Sequence, residues 1–111
     1  MFQVAKRDGA VAEFELSKIT EAIRKAFEAK EKYYSQDMLQ MLGLRVTADF
    51  QEKISDEMIC VEDIQDSVEN VLIQCGYADV AKAYILYRKQ REKMRNMKST
   101  ILDYKEIVNS Y

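Results

Sequence analysis

The 111-residue sequence has no proline, no histidine, only three glycines and only two cysteines. Without histidine it cannot assemble a Ser-His-Asp or Cys-His nucleophile, a His-Glu-x-x-His pair, or a zinc set that draws on imidazole. The Gly-x-Ser-x-Gly elbow is missing as well, so nucleophilic and zinc-hydrolytic chemistry find no support. Cys60 and Cys75 do not form a Cys-x-x-Cys motif and read as reduced core thiols rather than as a disulfide. With no proline and no Ser/Gly-rich or single-sign tract, nothing marks an internal linker before about residue 98, and no internal repeat is visible. No run of about eighteen apolar residues is there to span a bilayer, and "MFQVAKRDGA" lacks the apolar core of a signal peptide, so a soluble, cytosolic protein is expected. The formal charge of −2 offers no broad basic field to nucleic acid or to an anionic membrane, which confines any anion site to a local cluster.

What is present is 48 % apolar content, enough for one globular domain with a modest core. "FQVAKR" and "AVAEFE" flank Asp8-Gly9, a dipeptide suited to the positive φ angles of a type I′ turn, and predict a tight antiparallel hairpin. Ser17 reads as the N-cap of a first helix from Lys18 to about Lys30, with Ile19, Ala22, Ile23, Ala26 and Phe27 on its apolar face. A second helix after Ser35 carries Met38, Leu39, Leu42, Val46, Phe50 and Ile54 as one buried stripe, with Gly43 inside it. "EMICV" is short, β-prone and a candidate third strand beside the hairpin. "EDIQDSVENVLIQCG" predicts a third helix with acids in its first turn, Ile64, Val68, Val71 and Leu72 on one face, and Gly76 as its stop. A fourth, from about Ala78 to Met97, carries Val80, Ala81, Tyr84, Ile85 and Arg88 along one side, and its distal, basic turns outrun the bundle. The fold expected is α+β, mainly α: a bundle of about four helices capped by a small antiparallel β-hairpin or a three-stranded sheet. "STILDYKEIVNSY" reads as a linker or the start of another element, which divides the chain into a domain over 1–98 and a tail over 99–111.

One stretch stands out in a slightly acidic chain. "VAKRDGAVAEFELSKI" sets Lys6 and Arg7 just before the turn and Lys18 at the start of the next helix. A strand that delivers two cations beside a helix N-terminus, with its free backbone N–H groups, is suited to a phosphate chain. If the fourth helix lies alongside, Lys82, Arg88, Lys89 and Arg91 are available to add to it, each charge-assisted hydrogen bond contributing about 1.5–3 kcal/mol. Charged residues beside hairpin turns are ordinarily solvated, however, and the "YRKQREKMR" run equally suits a solvated helix end favoured by its dipole. Tyr84 and Tyr87 at helical spacing equally suit packing. Neither a Gly-x-x-x-x-Gly-Lys loop nor a Gly-x-Gly-x-x-Gly turn occurs, so any nucleotide is held by another scheme.

Taken together, "VAKRDGAVAEFELSKITEAIRKAF", "VEDIQDSVENVLIQCG" and "VAKAYILYRKQRE" resemble, over residues 3 to about 91, the ATP-cone, a regulatory nucleotide-binding domain at the N-terminus of ribonucleotide reductases. The resemblance implies that Lys6 and Arg7 engage phosphates, with Lys18 the cation nearest the triphosphate. It implies further that Val4 and the strand after the turn bound the adenine pocket, and that Glu15, Lys18 and Ile19 line the nucleotide. Gln65 on the third helix and Arg88 or Lys89 on the fourth fall where the family completes its pocket. Val61 departs from the hydroxyl residue that some members carry at that helix start, and Gln65 stands where some carry histidine; both departures bear on the sugar and Mg²⁺ contacts.

By this resemblance the chain is not itself an enzyme but an allosteric domain that binds ATP or dATP, with Mg²⁺, and controls the overall activity of deoxyribonucleotide synthesis. The segment "ILDYKEIVNSY" looks like the lead into the catalytic body of an anaerobic ribonucleoside-triphosphate reductase, which makes the rest of that enzyme and its other subunits the expected partners, through nucleotide-dependent oligomerisation. The same cone occurs in aerobic reductases and in a repressor of reductase genes. Two readings of other classes compete: a ligand-free helical interaction or oligomerisation domain, favoured by the amphipathic helices, and an independent phosphohydrolase, which would turn over ATP.

Overall fold

The computed structural model describes residues 2–96, with the side chains of residues 95 and 96 left aside; the boundary expected near residue 98 and the tail 99–111 lie outside the described residues. Three short strands, β1 (Gln3–Ala5), β2 (Val11–Glu13) and β3 (Met58–Cys60), accompany four helices, α1 (Leu16–Ala29), α2 (Gln36–Asp49), α3 (Val61–Gln74) and α4 (Ala78–Asn96). The sheet order is β2-β1-β3. β1 is antiparallel to β2, with Val4 opposite Ala12, and parallel to β3, with Val4 opposite Ile59. The expected mainly helical α+β fold is therefore the observed one, and "EMICV" does supply the third strand.

The hairpin turn differs from the expected form. Lys6 N–H donates to Ala10 O at 2.8 Å and Gly9 N–H to Lys6 O at 3.0 Å, which makes a three-residue loop. Gly9 has φ +89°, while Asp8 is absent from the positive-φ residues and instead accepts from Ala10 N–H on its carboxylate at 2.9 Å. This is the pattern of a tight turn closed by a glycine bulge, and it turns Arg7 into the loop. The two-residue loop with successive positive φ occurs instead at Asp56 (φ 54°) and Glu57 (φ 60°), closed by paired Ser55 and Met58 bonds of 2.9 and 3.0 Å. Acidic side chains at these positions gave no glycine signal in the sequence.

The helix boundaries follow the core. Phe2 and Phe14 stack at 4.6 Å, and both meet Phe50 edge-on at 5.7 and 5.8 Å. Anchoring Phe14 there brings the chain into α1 early: Glu15, extended at φ −132°, is the residue before the helix, and Ser17 lies in the first turn rather than capping it. Ile19, Ala22, Ile23, Ala26 and Phe27 are buried as expected, while Arg24 pairs with Glu21 and Glu28 on the wet face. Ser35 does cap α2, its Oγ accepting from Met38 N–H at 3.2 Å. The predicted stripe runs too far, however: Phe50 turns into the aromatic trio, a single 3₁₀ turn follows over Gln51–Lys53, and Ile54 is extended, because the chain must swing back to place β3 beside β1. Each of α1 and α3 packs on both α2 and α4, around a core whose largest fully buried side chain is Tyr84. Cys60 and Cys75 are free thiols, but only Cys75 packs against the core; Cys60 is exposed, because it alternates with the inward Ile59.

α1 and α2 approach closely at Gly43, where a Cβ would stand 2.9 Å from Thr20 Cγ2 and 3.2 Å from Leu16 Cδ1. Thr20 is stiff and its Oγ1 donates to Ser17 O at 3.1 Å, so its methyl has little freedom to yield. Gly43→Ala should lower unfolding stability by about 1–3 kcal/mol despite better helix propensity, and adding Thr20→Ala should recover part of the loss, as read by urea denaturation. Glu57→Gly, by contrast, should raise stability by about 0.5–1 kcal/mol in the same measurement, since glycine adopts a positive φ without a Cβ clash.

Candidate functional site

β1 ends at Ala5 beside Cys60, the last residue of β3, and α3 begins at Val61 with no intervening loop. Lys6 and Arg7 therefore emerge next to the first turn of α3. Arg7 Nε lies 2.6 Å from Glu62 Oε2, an ion contact out of line with the N–H; Nη2 donates to Gln65 Oε1 at 3.2 Å, and Nη1 lies 3.8 Å from Glu92 Oε2 on α4. The hairpin tip is thus tied to α3 and α4 together. Gln65 is nearly fully buried, an unusual place for an amide, and its oxygen faces the tip.

Lys6 reports the surrounding field. Its ammonium is held below the ordinary lysine pKa, first by partial burial and then by the cations Lys18 and Arg91, with Asp8 and Glu15 working in the opposite direction. Lys18 lies 3.6 Å from the Glu15 carboxylate in the first turn of α1. Arg91, although charged, is only 5 % exposed; its guanidinium sits 5.2 Å from the Tyr87 ring centre and donates to the Tyr87 hydroxyl at 3.3 Å. The hairpin just past β1, α1 and α4 each contribute one cation to the same neighbourhood. Beside it a cleft of about 250 Å³, lined by Ser17, Lys18, Glu21, Ala22, Lys25 and Tyr87, runs along α1.

The residues expected from the sequence separate into two groups. Lys6, Arg7, Glu15, Lys18 and Gln65 come together. Val4 and Ile19, near them in sequence, are fully enclosed in the core and present no exposed wall. Arg88 turns away from this cluster, donating to Asp66 Oδ1 at 3.1 Å and to Glu69 on α3. Burial opposes its charge, and those carboxylates more than offset it. Lys89 is exposed, as is Lys82. The fourth-helix cation that joins is Arg91, which was only one of several in a basic run. Its signal was periodicity: Val80, Tyr84, Tyr87 and Arg91 keep three-to-four spacing on the inward face, whereas Lys89 lies about 200° away around the helix from Arg91.

Among the described residues no group of three or more His, Cys, Asp or Glu side chains could hold a metal ion, and no helix is long and apolar enough to cross a membrane. A family model described as an ATP cone domain matches residues 2–93. The chain belongs to the ATP-cone family. It is 39 % identical over 98 residues to a ribonucleoside-diphosphate reductase subunit alpha of Chlamydia pneumoniae, covering 83 % of this chain and 9 % of that protein. It is 42 % identical over 101 residues to a vitamin B12-dependent ribonucleoside-diphosphate reductase of Thermoplasma acidophilum, covering 86 % and 13 %. To an anaerobic ribonucleoside-triphosphate reductase of Haemophilus influenzae it is 36 % identical over 103 residues, covering 90 % and 14 %. The match thus spans nearly all of this ATP-cone but only about a tenth of each relative, and the relatives are of three kinds of reductase.

The lowered Lys6 pKa makes a signed prediction. At neutral pH Lys6 is charged both in the folded ATP-cone and in the unfolded chain, and its unfavourable surroundings weigh fully on the fold. As pH rises through its folded pKa towards the unfolded value of 10.5, the folded form gives up the proton first and that burden is relieved. Lys6→Met should therefore leave the ATP-cone at least as stable at pH 7, with a stability difference from the parent chain that shrinks towards pH 10.5. Denaturant titrations across that range measure it.

Proposed function

We propose that this ATP-cone is the nucleotide-sensing part of a ribonucleotide reductase, in which ATP or dATP occupies the site between the hairpin, α1, α3 and α4. The observation that carries the reading is the convergence of Lys6, Lys18 and Arg91 from three separate elements, against the electrostatic cost registered at Lys6. A polyphosphate offsets the repulsive part of that cost by giving the three cations a common anion. Arg7 at the hairpin tip, held by Gln65 on α3, then faces the phosphates, Glu15 flanks Lys18, and Val4 and Ile19 lie beneath the base. Arg88, committed to Asp66 and Glu69, and Lys89, exposed, stand outside this set. Mg²⁺ arrives with the phosphates, which supply most of its oxygen ligands. The domain extends to about residue 98.

ATP and dATP differ by one hydroxyl, whose hydrogen bond contributes about 0.5–1.5 kcal/mol. Affinity alone makes a weak switch between them. The regulatory effect comes instead from different packing of the ATP-cone with each nucleotide, coupled reciprocally to the assembly of the larger protein by about 1–3 kcal/mol. An anaerobic ribonucleoside-triphosphate reductase is the parent we favour, on the strength of "ILDYKEIVNSY"; the vitamin B12-dependent and diphosphate reductases are similar enough over the cone alone to make that tail the distinguishing feature.

Calorimetric titration with ATP, dATP and GTP tests the site. Both adenine nucleotides should bind, and Lys18→Ala should weaken ATP at least about tenfold, whereas Lys89→Ala should leave it unchanged. Undiminished binding by Lys18→Ala would overturn the assignment, and a nucleotide-independent dimer that gives no heat would favour a ligand-free interaction domain.

A further inference from the structure

All three nitrogens of the Arg7 guanidinium face protein oxygens, from Glu62, Gln65 and Glu92. A phosphate takes a guanidinium most strongly by two parallel N–H bonds from one edge of the fork. Each such edge of Arg7 includes a nitrogen already turned to one of these groups. Gln65 is buried and neutral, and so has no charge to set against a phosphate. Glu62 and Glu92 differ on both counts: their side chains are 43 % and 56 % exposed, each is anionic, and each belongs to a different helix. Either carboxylate loses little by swinging into water, because its own end of the pair is well solvated already.

We propose that Glu62 and Glu92 are competitors that hold Arg7 in place of a phosphate and release it when the polyphosphate binds. The inference rests on the nucleotide site proposed above and concerns how that site is set. Gln65 keeps its bond to Nη2 through the exchange and orients the guanidinium. The two carboxylates leave for solvent, and the hairpin tip trades its tie to α4 for a tie to the ligand. Glu62 and Glu92 thereby lower the affinity to a working range, and they connect occupancy of the site to the hairpin–α4 contact.

Calorimetry with ATP on the full 111-residue chain tests this. Glu62→Gln and Glu92→Gln should each tighten binding about two- to fivefold. In an Arg7→Ala background the gain should vanish, since Arg7 is the group competed for. Tightening by the same factor with and without Arg7 would mean plain repulsion between carboxylate and phosphate, and would overturn the proposal. Weaker binding by Glu62→Gln would overturn it too, by making Glu62 a group that prepares Arg7 for the phosphate. An independent readout is the Arg7 Nε–H resonance, which should shift on Glu62→Gln substitution and shift on ATP addition to the parent chain. If the parent binds ATP in a Lys18-dependent way while both glutamine variants bind unchanged, this inference alone fails. If the parent binds no adenine nucleotide, the site reading fails and takes the inference with it.

Discussion

β1 is paired along both edges, antiparallel to β2 and parallel to β3, and that double pairing fixes where two helices begin. β2 leads into α1 through Phe14, and β3 leads into α3 with no loop at all. Val4, at the centre of the sheet, is wholly buried, so moving β1 by one residue would put Ala5 or Gln3 into the core and Val4 into water. The register is therefore strongly specified. Once it is set, Lys6 and Arg7 have a single place to emerge, at the first turn of α3 and within reach of α4.

The site so formed runs against the chain's own electrostatics. A sequence of charge −2 gathers Lys6, Lys18 and Arg91 where they disfavour one another, and partial burial of Lys6 adds to the cost. Acidic neighbours moderate the field without cancelling it: Glu15 at Lys18, Asp8 near Lys6, and Glu62 and Glu92 at Arg7. Like charges drawn together on separate elements of a stable fold are a form of preorganisation. The unfavourable energy is contained in the fold beforehand, so the cations need no rearrangement to face a common anion.

α4 shows how one helix serves three purposes on neighbouring faces. Tyr84 fills the middle of the core, Arg88 closes onto Asp66 and Glu69 and so clamps α3 to α4, and Arg91, one turn later on the Tyr84–Tyr87 side, reaches the cation cluster. Tyr87 lies between the core and the site, its ring approached by Arg91 at 5.2 Å and by Lys25 at 5.8 Å.

Residue pattern by itself determined the order of the four helices, the inward faces of α1 and α3, the start of α2 after Ser35, the hairpin and the candidate third strand, because these depend on periodicity and on local turn chemistry. It also singled out Lys6, Arg7 and Lys18, as cations set around one turn and one helix start, and the resemblance to the ATP-cone added Gln65. Tertiary structure decided the rest. The start of α1 at Leu16 and the break of α2 at Phe50 follow from three aromatic rings that meet only when hairpin, α1 and α2 are assembled. The two-residue loop with successive positive φ stands at Asp56-Glu57, while the Asp8-Gly9 hairpin closes through three residues. The choice of Arg91 over Arg88 and Lys89, and the meeting of Arg7 with Glu62 and Glu92, depend on how α3 and α4 are rotated against each other. A basic run says that cations exist; only the packed core, by fixing the azimuth of each helix, says which of them face one another.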